Sequence, residues 1–235
     1  MRRVFLSQNR KKYIRAELVM LFRHCSGNNL MNTQTKNANV VWHRSLVSTD
    51  DRNVMNGHKS MNIWFTGYSG SGKSTLAHAL EKRLYEMQCR TFVFDGDNVR
   101  HGLCKDLGFS NEERRENIRR ITEMVKLFLD AGLIALTAFI APFNKDREII
   151  KLRLGAQNYI EVFCDCPIEI CEKRDVKGIY KKARQGLIKD FTGISSPYEY
   201  PQSPDIVLQT DRQTIDECIE QLICLLKKRN VFDIN

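Results

Sequence analysis

Nine consecutive residues concentrate the chemistry of this chain. Gly67-Tyr68-Ser69-Gly70-Ser71-Gly72-Lys73-Ser74-Thr75 fits the phosphate-binding pattern G-x-x-x-x-G-K-[ST], between the strand-like run Asn62–Thr66 and a helical pattern. Glycine lets the backbone curl so that successive N–H groups point at phosphate oxygens. The first turn of the following helix adds the positive end of its dipole. Lys73 supplies a mobile charge for the outer phosphates, the Ser74 hydroxyl can hold a magnesium ion, and Thr75 continues the helix.

Further on, Asp95 and Asp97 stand one residue apart after a second strand-like run. At the mouth of a phosphate site such a pair divides two tasks: one carboxylate orients magnesium through its water shell, the other aligns an attacking hydroxyl and takes its proton. Arg100 follows one helical turn beyond Asp97, and Phe109 precedes a helix carrying Arg114, Arg115, Asn117, Arg119 and Arg120. Arg114 and Asn117 share a face. An aromatic ring beside guanidinium and amide groups suits a second nucleotide, although the same arginines could pair with Glu112, Glu113 and Glu116 as a solvated charged face. The basic run from Arg174 to Arg184 reads either as a mobile lid over a triphosphate or as an exposed helix. Two guanine-nucleotide signatures fail. Asn144-Lys145-Asp146 is followed by Arg147 where Asp is needed, and Asp175-Val176-Lys177-Gly178 lies after the fourth strand rather than beside the phosphate loop.

The elements that must position these groups alternate along the chain. Strand patterns fall at Asn62–Thr66, Thr91–Phe94, Leu133–Phe139, Tyr159–Cys164 and Asp205–Gln209. Helical patterns fall at Ser74–Gln88, Ser110–Asp130, Asn144–Leu154 and Gln213–Lys228, the second opened by a Ser110/Glu113 capping box. The order implies an α/β fold, with a five-stranded parallel sheet covered on both faces and ligands beyond the carboxyl ends of the strands. A length of 235 residues fits one such domain with extra chain at an end. No apolar run is long enough to cross a membrane, and the eight scattered cysteines show no zinc spacing, which suits free thiols in the cytoplasm. The net charge of +9 is uneven: residues 1–30 carry +6 and the other 205 only +3, too balanced for a nucleic-acid footprint. Arg2, Arg3, Arg10 and Arg15 would suit an organelle-targeting peptide, but the segment is poor in serine and has no evident cleavage site, so an unstructured basic extension is expected.

From Val40 to about Leu226 the chain resembles the adenylylsulfate kinases, a family of P-loop kinases. The resemblance is carried by Val41-Trp42-His43, Asn56-Gly57-His58-Lys59, Trp64-Phe65-Thr66-Gly67 with the phosphate loop, and Asp95-Gly96-Asp97-Asn98-Val99-Arg100-His101-Gly102-Leu103. Gly108-Phe109-Ser110, the Arg114–Arg120 stretch, Lys177-Gly178-Ile179-Tyr180-Lys181-Lys182-Ala183-Arg184 and Asp190-Phe191-Thr192-Gly193-Ile194 extend it. It implies a three-layer P-loop kinase fold with a mobile lid: a basic extension at 1–30, a family segment at 31–60 and the kinase domain at 61–235. It also implies magnesium-dependent transfer of the ATP γ-phosphate to the 3′-hydroxyl of adenylylsulfate, in sulfate assimilation, by a homodimer. Asp97, Arg100, Phe109, Arg114, Asn117, Ile140 and Phe191 would then hold adenylylsulfate, with Phe191 stacked on its adenine. Residues 67–75 with Arg174 and Lys181 would hold ATP, and Lys73, Asp95 and Asp97 would carry the catalysis. One departure matters. The family usually has Phe-Ile-Ser-Pro after the third strand, with the serine described as a phosphoserine intermediate, whereas this chain has Phe139-Ile140-Ala141-Pro142. Alanine carries no phosphate, so direct in-line transfer is expected. The alternatives are another P-loop small-molecule kinase, or a nucleotide-binding regulator that has lost activity.

Overall fold

The computed structural model describes residues 41, 43, 45–175 and 177–232. The basic extension at 1–30 therefore lies outside the described residues. Contacts group Leu46 onward into one compact unit. Its elements run α1 (Thr49–Asn56), β1 (Met61–Thr66), α2 (Lys73–Glu86), β2 (Thr91–Asp95), α3 (Gly96–Arg100), α4 (Asn111–Asp130), β3 (Ile134–Ala138), α5 (Asn144–Leu154), β4 (Tyr159–Asp165), α6 (Ile168–Arg174), α7 (Ile179–Arg184), β5 (Ile206–Gln209) and α8 (Ile215–Lys228).

All five strands pair in parallel, in the order β2-β3-β1-β4-β5. The central strands are apolar on both faces because both are covered. On one face Ile63, Phe65, Leu136, Ile160 and Val162 meet Leu76, Leu80 and Leu84 of α2 and Leu222 and Ile223 of α8. On the other, Trp64, Ala135 and Tyr159 meet Ile121, Val125 and Leu129 of α4 and Ile150 and Leu154 of α5. The result is the three-layer arrangement expected. A smaller apolar cluster of Cys166, Cys171, Tyr180, Ala183 and Phe191 lies under α6 and α7.

Helix starts follow local chemistry. The Ser110 hydroxyl accepts from Glu113 N while the Glu113 carboxylate accepts from Ser110 N, the reciprocal box expected from the sequence. Thr214/Glu217 and Ser48/Asp51 repeat the device at α8 and α1. The short helices α1, α3 and α6 are additions to the sequence reading, and α7 falls in the basic run that it left open between a lid and an exposed helix. They have five to eight residues, too few turns for a periodic pattern to stand out.

Candidate active site

Beyond the carboxyl ends of β1, β2 and β3 lies an open cleft of about 830 Å³. The phosphate loop forms one wall. Gly67 has φ +142°, and a Cβ there would stand 2.6 Å from the Cys164 carbonyl oxygen. Gly70 has φ +76°, with 2.9 Å from a built Cβ to the Cys171 carbonyl oxygen. Only glycine satisfies both the left-handed backbone and the close approach. Neighbouring segments fix the loop from outside. Tyr180 donates its hydroxyl to Ser69 O at 2.8 Å, Thr210 Oγ1 donates to Ser71 O at 2.8 Å, and Arg174 reaches Gly70 O and Thr210 O at 3.3 and 2.7 Å.

Lys73 opens α2 and is buried. Its ammonium donates to Gly67 O and Tyr68 O at 3.1 and 2.7 Å, folded back on the loop's own carbonyls. Burial pushes its pKa down to about 8, against the opposing pull of Cys164, Cys171 and Asp95. The Ser74 hydroxyl donates to Asp95 Oδ2 at 2.5 Å, and Asp95 Oδ1 accepts from Asp97 N at 2.9 Å. The buried Asp95 thus ends β2, caps α3 and faces the phosphate loop at once. Asp97 points from the first turn of α3 across the cleft and forms an ion pair with Lys177.

The opposite end is aromatic and basic. Arg100 donates to Leu107 O and Gly108 O at 2.9 and 2.8 Å, and its guanidinium lies 4.3 Å over the Phe109 ring. Phe109 is 60% exposed, a large ring held open to a ligand rather than packed away. Arg114 donates to Phe109 O at 2.8 Å, Thr192 Oγ1 at 3.0 Å and Asp190 O at 2.7 Å, tying the 190–192 segment to α4. Asn117 is buried in the cleft wall, and its Oδ1 has no hydrogen-bond partner. A buried amide oxygen without a protein partner is costly unless a ligand or an ordered water satisfies it.

Of the residues singled out in the sequence, the cleft brings together Ser69, Gly70, Gly72, Lys73, Ser74, Thr75, Asp95, Asp97, Arg100, Phe109, Arg114, Asn117, Ile140 and Arg174. Gly67, Tyr68 and Ser71 shape the loop from behind; the Tyr68 ring packs on Tyr198 at 4.9 Å. Two residues stand elsewhere. Lys181 is exposed on α7, because Tyr180 and Ala183 take the inward face of that short helix, and Lys177, just before the helix, lines the cleft with Lys73. Phe191 is buried edge-on against Tyr180 at 5.0 Å, not laid along the cleft wall. The sequence reading passed over Thr210, Gln213, Ile215 and His78, which line the phosphate-loop end. Thr210 immediately follows β5, so reading every strand end would have found it.

A parallel sheet with a phosphate loop after its central strand β1, an aspartate pair at the end of the edge strand β2, and a basic segment around α6 and α7 that touches both through Arg174 and Lys177 defines a P-loop kinase. The profile of the adenylylsulphate kinase family matches residues 59–209. The "Adenylyl-sulfate kinase" of Acaryochloris marina is 55% identical over 196 residues, spanning 83% of this chain and 96% of that one. The APS kinase CysC of Mycobacterium tuberculosis, solved in complex with AMPPNP and APS, superposes with a TM-score of 0.70 at 44% identity, covering 72% of this chain and 99% of that one. A hexameric APS kinase from Thiobacillus denitrificans superposes with a TM-score of 0.57 at 28% identity, over 76% of this chain and 31% of that one. The chain belongs to the adenylylsulfate kinase family.

Proposed function

We propose that this protein transfers the γ-phosphoryl group of ATP to the 3′-hydroxyl of adenylylsulfate, giving ADP and 3′-phosphoadenylylsulfate. The observation that carries this reading is a single cleft with a phosphate loop at one end and an exposed aromatic ring, two arginines and an unpaired buried amide at the other, with Asp97 between. In this reading the backbone of residues 67–75 cradles the ATP phosphates, Lys73 turns from its carbonyl partners to the transferred group, and Arg174 and Lys177 close the donor end. Asp97 leaves Lys177, aligns the 3′-hydroxyl and receives its proton. Arg100, Phe109, Arg114, Asn117 and Ile140 orient the acceptor, with Phe191 backing the segment that Arg114 holds.

The Ser74 hydroxyl and Asp95 carboxylate form an all-oxygen pair beside Lys73, a donor set that suits magnesium held by few protein ligands and several waters. Ser74 would hold the ion directly and Asp95 through water, and the ion would neutralise charge on the phosphates. A cytoplasmic homodimer is the proposed setting. The described cysteines are free thiols, and among the described residues no helix is long and apolar enough to cross a membrane.

The decisive assay supplies ATP, magnesium and a panel of acceptors and follows ADP. Release with adenylylsulfate alone is expected. Release with a sugar or a nucleoside monophosphate instead would assign a different kinase, and binding of both nucleotides without ADP would assign a regulator. With γ-labelled ATP, no stable label should remain on the protein, since Ala141 offers no hydroxyl; a labelled protein would refute direct transfer.

A further inference from the structure

We infer that Arg147 is a positioning residue for this transfer: its buried guanidinium clamps the Ile140-Ala141-Pro142 loop in the one backbone shape that fits the cleft. The inference rests on the proposed function for its kinetic consequence, but the clamp itself stands on geometry.

Arg147 lies in the first turn of α5 and is only 3% exposed, rare for a residue type that normally keeps its head in water. Its Nη1 donates to Ala141 O at 2.5 Å, and its Nη2 donates to Glu199 O at 2.6 Å and to Asn144 Oδ1. Glu161 of β4 balances the charge at 2.9 Å from Nε; the contact is coulombic, without an aligned hydrogen bond. The guanidinium carbon also stands 5.7 Å from the centre of the Tyr198 ring. The rigid planar fork fixes two carbonyls on separate segments in set directions while Nε faces Glu161, a geometry that the single nitrogen of an ammonium does not reproduce.

Those carbonyls are part of a larger pattern. Thr66 Oγ1, at the end of β1, donates to Ile140 O at 2.5 Å and lies 2.9 Å from the Tyr198 hydroxyl. Glu199 N donates to Pro142 O at 2.8 Å, and Glu199 Oε2 accepts from Asn144 N at 2.7 Å. Three successive loop carbonyls are therefore each held by a different donor. Between them, Ala141 sits at φ +40°, a left-handed backbone that alanine avoids unless its surroundings impose it. Ile140, Ala141 and Pro142 all line the cleft, so the shape of this backbone sets the cleft wall. A buried ion pair is a poor means of adding stability, because desolvation offsets its attraction. Its use here fits the fixing of one conformation.

The test is Arg147→Lys, which keeps the charge opposite Glu161 and loses the fork. In the ligand-free protein, amide hydrogen exchange should speed up at least tenfold in peptides covering 139–145 and 196–202 and stay unchanged in β1 and α2. The KM for adenylylsulfate should rise tenfold or more, with the KM for ATP within twofold. Unchanged loop exchange would overturn the clamp. So would exchange that accelerates throughout the core strands, because the ion pair would then serve the whole fold. Equal rises in both KM values would overturn the positioning role. A wild-type protein inactive toward adenylylsulfate would defeat the proposed function alone, since the ligand-free exchange still decides the clamp.

Discussion

Replacing Asp97 by asparagine separates catalysis from architecture more cleanly than any other single change in this site. Asparagine keeps the size of the side chain and removes its ability to take a proton or to hold Lys177 by charge. The structural cost follows from exposure: the two side chains are 63% and 60% exposed, and pairs in that setting contribute about 0–1 kcal/mol. The backbone bond from Asp97 N to Asp95 Oδ1 is untouched by the substitution. For a fold of this size 1 kcal/mol moves Tm by about 2–4 °C, so the variant should melt within about 4 °C of the wild type. The kinetic cost is of another order. Loss of a positioned general base removes about 10²–10⁴ in rate, or about 2.7–5.4 kcal/mol of transition-state stabilisation. The expected result is turnover down at least a hundredfold with the KM for ATP nearly unchanged, because Lys73, Ser74 and the loop amides are not involved. Steady-state kinetics at saturating adenylylsulfate, with a thermal melt on the same preparation, measure both sides. Turnover within threefold of wild type would refute the assignment, and so would a loss that appears wholly as weaker ATP binding.

Two further outcomes are expected at the donor end. Gly70→Ala places a Cβ 2.9 Å from the Cys171 carbonyl oxygen at φ +76°, a left-handed conformation that costs about 1–2 kcal/mol before any clash. The KM for ATP should rise about tenfold or more in an ATP titration, and a value within twofold of wild type would refute the loop's role. Lys73 is held near pKa 8 by burial, so its ammonium form is present below pH 8 and is lost above it, while the oxygens of a bound triphosphate favour that form. The KM for ATP should therefore climb as pH rises from 7.5 to 9; a flat profile would show that the lysine stays charged without phosphate.

The sheet was legible because each strand is a short apolar run with a defined stop, and all five appear within one or two residues of their expected bounds. The long helices α4 and α5 were legible for the same kind of reason: Ser110 with Glu113 announces one start, and the bounds Asn144–Leu154 of the other match. Short helices left no such trace. The helix α1 carries a capping box at Ser48 and Asp51, but its two turns hold too few apolar positions to form a stripe. In the site, the rule that ligands meet the carboxyl ends of parallel strands located Asp95, Asp97 and Ile140 without any knowledge of contacts. It could not locate Lys177 against Lys181, because Lys177 lies in the turn before α7, while Lys181 is on the helix itself, whose inward face Tyr180 and Ala183 take. Arg147 entered the sequence reading only as the wrong residue for a guanine motif. A buried arginine has no periodic signature, since its counter-ion Glu161 and its carbonyl acceptors come from other elements.

The identity of residue 141 bears on how the phosphoryl group travels. A relay through the protein would need a hydroxyl that swings between donor and acceptor. Position 141 is 2% exposed, its carbonyl is bound by Arg147, and its neighbours' carbonyls are bound by Thr66 and Glu199. Such a position is built to hold still. The proposed direct transfer would draw on Lys73 and the Ser74–Asp95 pair at the donor, Asp97 as the proton acceptor, and Phe109 and Asn117 as the acceptor platform, all of which line the same cleft. Phosphoryl transfer asks little covalent help of a protein; alignment and neutralised charge supply most of the acceleration. Under the proposed direct transfer, a methyl group at 141 removes nothing that positioning would supply, and a wall held by Arg147 and Thr66 would serve alignment.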